Sequence, residues 1–85
     1  DAAHILDQIA DAGTRGHAIV ADISDAARCR AVIDEAVEAL GGLDILVNNA
    51  GRQIAVERVE DLSDEQFELT FRTNVFAPFW LTKAA

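Results

Sequence analysis

Apolar positions along this chain switch repeatedly between a helical and an extended period. Ile5, Leu6, Ile9 and Ala12 recur at helical spacing, and Gly13 supplies a stop. The run His17-Ala-Ile-Val-Ala-Asp22 is too short for a helix and predicts a buried strand. Cys29, Ile33, Ala36, Val37 and Leu40 then form one stripe of a second helix. Ser24 is placed to cap that helix, with Asp25 in its first turn, and Gly41-Gly42 to end it. Leu43-Asp-Ile-Leu-Val-Asn48 predicts a second strand, and residues 51–62, without periodicity, a loop. Ser63-Asp-Glu-Gln66 reads as a capping box opening a final helical segment that holds Phe67, Phe71, Asn74, Val75, Pro78 and Phe79.

The order is therefore α-β-α-β-α. Strand, helix and strand within about 33 residues make a βαβ unit, which implies parallel strands and a right-handed crossover. In an open parallel sheet, ligands bind beyond the carboxyl ends of the strands, here Asp22 and Asn48-Asn49-Ala50-Gly51. One feature of the last helix stands apart. Pro78 has no N–H to give the carbonyl of Asn74 four residues earlier, at a typical cost of ~3 kcal/mol. A buried carbonyl without a donor calls for another polar partner.

Composition narrows the class without naming it. Eighty-five residues make at most one domain, and 51% hydrophobic content argues against disorder. A net charge of −8 argues against nucleic acid or an anionic membrane as partner. A single cysteine, Cys29, excludes an internal disulfide and fits a reducing compartment, with the cytoplasm as the expected location. His4 and His17 have no ligand partners at metal-site spacing. Both ends of the chain cut through elements, as expected for an interior piece of a longer protein.

Each candidate site residue has two readings. Asp22 at a strand exit is placed to accept a hydrogen bond from an adenine amino group or a ribose hydroxyl, or else to bond its own backbone. Two amides followed by Ala50 and Gly51 leave room for a flat ring against the backbone, or else form an Asn-rich turn. Arg52 and Gln53 read as a solvated loop pair or as ligand contacts.

Taken together, Val-Ala-Asp-Ile-Ser-Asp, Gly-Gly-Leu-Asp-Ile-Leu-Val-Asn-Asn-Ala-Gly and Thr-Asn-Val-Phe-Ala-Pro-Phe-Trp-Leu-Thr-Lys-Ala resemble the short-chain dehydrogenase/reductase family across essentially the whole chain. The resemblance implies an α/β fold, a partial Rossmann-type doubly wound parallel sheet, with residues 1–85 the interior of one NAD(P)-binding domain. It implies that Asp22 contacts the adenine of NAD or NADP, with the backbone of Ile23 flanking the ring. Asn49, Ala50 and Gly51 would line the adenine ribose, and Asn48 would brace the sheet. Asn74 matches the asparagine of the family's Asn-Ser-Tyr-Lys catalytic set, whose backbone carbonyl holds a proton-relay water, and Val75 would pack beside the cofactor.

What the resemblance implies for the parent is hydride transfer between a nicotinamide cofactor and a small alcohol or carbonyl substrate. It also implies a homo-oligomer paired through the helix of residues 63–85. The chain has no tyrosine and no Gly-rich pyrophosphate turn, so alone it is expected to be inactive. A non-catalytic dinucleotide-binding or scaffold protein would keep the same half of the fold. An extended-branch epimerase usually carries a His-containing segment in place of residues 48–51. A flavodoxin-like receiver would need an acidic cluster at its strand ends, where only Asp22 fits.

Overall fold

The computed structural model describes residues 2–85. Helix α1 (Ala2–Asp11) ends before Gly13, and the chain turns back against it. Gly16 lies close against it: a Cβ there would sit 2.9 Å from Leu6 Cδ2 and 3.1 Å from Ile9 Cδ1, so those side-chain ends would have to shift. Helix α2 (Ala26–Leu40) ends at Gly41, whose φ of 81° lies in the left-handed region and whose N–H donates to the Val37 carbonyl. Its N-cap is Asp25, whose carboxylate accepts from the Arg28 N–H, and not Ser24 as the sequence suggests. Ser24 is engaged by Asp22 instead.

A single 3₁₀ turn (Val59–Asp61) interrupts the loop before the last helical segment. Helix α3 (Asp64–Phe71) opens with the expected reciprocal capping box between Ser63 and Gln66. The helix then widens into a π-turn (Arg72–Phe76) and continues as α4 (Ala77–Ala84). Helix α2 packs against α4, and the buried residues Cys29, Ile33 and Ala77 lie on these two helices. The Cys29 thiol donates to the Ile23 carbonyl at 3.2 Å, and burial raises its pKa, so it is an inert core group.

The two predicted strands do not form a sheet. Among the described residues no strand is present, and residues 17–22 and 43–48 are unpaired extended chain. A strand needs a neighbour to take its N–H and C=O groups, and these two segments do not serve each other. Side chains bind the first segment to α2 instead. Arg28 Nη2 donates to the Val20 carbonyl at 2.8 Å, and His17 Nε2 meets Glu35 Oε2 at 2.9 Å. Arg15 Nη2 donates to the Leu40 carbonyl at the end of α2. The second segment reaches α4 through Asn48 Nδ2 and Thr82 Oγ1, 3.4 Å apart, so Asn48 braces a helix here and not a sheet.

The alternation of a strand survives without its ladder. Ile19 and Leu46 are partly covered, whereas Val20, Ile45 and Val47 are 94%, 79% and 77% exposed. The result is a slab of 50 × 27 × 17 Å. Its radius of gyration is 15.7 Å, against roughly 12 Å for a compact domain of this length.

Residues 1–85 alone, with so small a core and bare apolar edges, are expected to aggregate or to be only partly ordered. Thermal scans at micromolar concentration check this. A single cooperative, reversible transition would contradict it.

Candidate cofactor-binding site

The π-turn is the anchor of the site. Ala77 N–H donates to the Arg72 carbonyl five residues back, where an α-helix would use a carbonyl four back. Pro78 follows in the first turn of α4, where a missing N–H is tolerated. It offers no donor to Asn74 four residues earlier or to Thr73 five earlier. The interruption expected from the sequence is thus present, and it takes the form of a widened turn.

Within that turn the Asn74 side chain closes a two-bond ring with one peptide of the loop. Its Oδ1 accepts from the Arg52 N–H and its Nδ2 donates to the Arg52 carbonyl, both at 2.6 Å. Both polar ends of the amide are used, 22 residues away in sequence. Gly51 lies directly beside it, where a Cβ would be 3.5 Å from Asn74 Oδ1. Arg52, read from sequence as a loop side chain, contributes its backbone.

Asp22 forms a tight local turn. Its Oδ1 accepts from the Ser24 N–H at 3.0 Å and from the Ser24 hydroxyl at 2.7 Å. These two bonds, the backbone one first, hold its pKa below the ordinary 3.8 despite a small opposing desolvation, and the Arg52 charge adds to the lowering. Oδ1 thus bonds its own local backbone, the second of the two sequence readings, and among the described residues no bond engages Oδ2. Ser24 was missed as a site residue, although an Asp followed two residues later by Ser is the sequence signal of such a turn.

A cavity of about 40 Å³ brings other predicted residues together. Ile23, Asn48, Asn49, Ala50, Thr73 and Pro78 are among those lining it. Val75 is half exposed on the π-turn. A larger groove of about 390 Å³ between α2 and α4 is lined by Arg30, Asp34, Trp80 and Lys83, among others, and touches none of the predicted site residues. Among the described residues no three His, Cys, Asp or Glu side chains converge as metal ligands, and no helix is long and apolar enough to cross a membrane.

Comparison with known proteins follows the same outline. The family model described as short chain dehydrogenase matches residues 1–85. The uncharacterized oxidoreductase YghA of Escherichia coli (strain K12) is 44% identical over 85 residues, which are 100% of this chain and 29% of that protein. The crystal structure of a short chain dehydrogenase from Burkholderia cenocepacia J2315 in complex with NADP superposes with a TM-score of 0.93 at 39% identity. The match covers 99% of this chain and 34% of that one. The NADH-dependent reductase A1-R′ complexed with NAD gives a TM-score of 0.88 at 30% identity, covering 100% of this chain and 35% of its own. The chain thus spans about a third of the length of these relatives.

Two outcomes are expected in the full-length protein. Asn74→Ala should cost about 1–2 kcal/mol of stability and speed hydrogen exchange at the Arg52 amide, as two hydrogen bonds are lost. Unchanged exchange at Arg52 would contradict this. Ser24→Ala should raise the Asp22 pKa partway toward the ordinary value, the backbone bond remaining, as read by carboxyl NMR titration. Because the folded pKa is depressed, the turn stabilises fully above the ordinary carboxylate range and loses that contribution as pH falls through the lowered pKa. A carboxyl titration of Asp22 unmoved by the substitution would contradict the role of the hydroxyl.

Proposed function

The chain belongs to the short-chain dehydrogenase family, and from that premise we propose that its parent protein transfers hydride between NAD or NADP and the alcohol or carbonyl carbon of a small molecule. Residues 1–85 are the interior of the dinucleotide-binding domain, and residues 17–22 and 43–48 are two strands of its parallel sheet. The observation that carries the reading is the grouping of both segment exits around the π-turn. Ile23, Asn49 and Ala50 share one cavity with Thr73, and Gly51 abuts Asn74.

These residues fit the adenosine half of a dinucleotide. Asp22 Oδ2 accepts the adenine amino group, the Ile23 backbone flanks the ring, and Asn49, Ala50 and Gly51 line the ribose with little side-chain bulk. Val75 packs beside the cofactor. The bound cofactor supplies the hydride acceptor or donor. The Asn74 side chain is committed to the Arg52 peptide through one bond at each amide atom. The residue's contribution is its backbone carbonyl, which Pro78 deprives of the usual donor. That carbonyl holds a water on the proton path, as the family's mechanism has it. The general acid/base comes from outside this chain, which contains no tyrosine.

The aromatic surface supports a second copy as partner. Phe67, Phe71, Val75 and Phe79 are each 43% or more exposed and fall four residues apart. They form an apolar stripe suited to pairing with the same helix of another subunit.

The test is nicotinamide absorbance during incubation of the full-length protein with NAD or NADP and a panel of alcohols and sugars. Turnover is expected for the full-length protein and none for residues 1–85 alone. Dinucleotide binding without turnover on any substrate would overturn the catalytic reading and favour a binding protein.

A further inference from the structure

Arg72 opens the π-turn two residues before Asn74, and its guanidinium joins two distant parts of the chain. Nε donates to Glu68 Oε1 at 3.1 Å, one helical turn back. Nη1 donates to the Ser24 carbonyl at 3.3 Å, across 48 residues. Ser24 in turn gives both its N–H and its hydroxyl to Asp22 Oδ1. An unbroken run of hydrogen bonds therefore links Glu68, Arg72, Ser24 and Asp22. Glu68 orients the guanidinium plane, and the planar fork lets a second N–H reach Ser24 while the first is held.

The consequence follows from the neighbouring residue. Asn74 holds the exit of the second extended segment through Arg52, and Arg72 holds the exit of the first through Ser24. One π-turn thus fixes both exits relative to each other, although no sheet hydrogen bonds join the segments among the described residues. We propose that Arg72 is a positioning residue for the adenine end of the cofactor seat. By holding the Ser24 carbonyl it steadies the residue whose N–H and hydroxyl hold Asp22 Oδ1, and so the direction in which Asp22 Oδ2 faces the ligand. This rests on the reading above that Asp22 accepts the adenine amino group.

The test compares wild-type full-length protein with Arg72→Ala and Arg72→Lys in two measurements. The first is hydrogen exchange at the Ser24 amide, which reads the link without any ligand. The second is the dissociation constant for NADH or NADPH against that for reduced nicotinamide mononucleotide, which lacks the adenylyl half. Arg72→Ala should speed Ser24 exchange and weaken the dinucleotide about tenfold, the equivalent of one charge-assisted hydrogen bond, and leave the mononucleotide unaffected. Arg72→Lys, with one point charge for two acceptors, should fall between. Unchanged exchange at Ser24 would overturn the link, and equal weakening of both ligands would overturn its confinement to the adenine end. A wild type that binds the mononucleotide as tightly as the dinucleotide would overturn the reading of Asp22 itself, and this inference with it.

Discussion

A carboxamide carries one donor group and one acceptor group at a fixed separation, and a peptide presents the complementary pair. Asn74 meets the peptide of Arg52 in this way, with both bonds at 2.6 Å. The loop after residue 50 is thereby tied to the π-turn at Arg52. The remainder of the site depends on that joint. Gly51 lies beside it, the cavity of Asn48, Asn49 and Ala50 opens next to it, and the cation of Arg52 leaves from a held backbone to act on Asp22. A longer or β-branched side chain at position 74 could not replace both bonds.

The joint is itself seated on the packing of α2 against α4. Ala77 is buried immediately after the π-turn, and Cys29 and Ile33 of α2 are buried with it. Cys29 also reaches the Ile23 carbonyl, so the same small core steadies the first segment's exit. The apolar surfaces around it are unfinished. Val20, Ile45 and Val47 of the extended segments are largely exposed, and so are Phe67, Phe71 and Phe79 of the last helical segment.

Local signals were legible in the sequence. The Ser63–Gln66 capping box and the Gly41 stop both depend on residues a few positions apart, and the structure contains both. The pairing of the strands was not legible. An apolar run such as 17–22 says that a strand must be covered, but not which neighbour covers it, and here Arg28 takes the Val20 carbonyl instead. Ser24 and Asp25 compete for the cap of α2, and Asp25 wins because Ser24 is engaged by Asp22. Pro78 was readable as an interruption and the π-turn was not, since a missing donor can be met by a kink, a water or a wider turn. Asn74 was marked first by Pro78 four residues later and then by family resemblance. Its side-chain partner is a backbone, and backbones leave no mark in a sequence.

The most direct test is a crystal structure of the full-length protein with its dinucleotide bound. Both amide atoms of Asn74 are predicted to remain on the Arg52 peptide, with the adenine amino group on Asp22 Oδ2 and the ribose against residues 49–51. An Asn74 side chain turned away from Arg52 toward the ligand, or a dinucleotide seated elsewhere, would contradict the account.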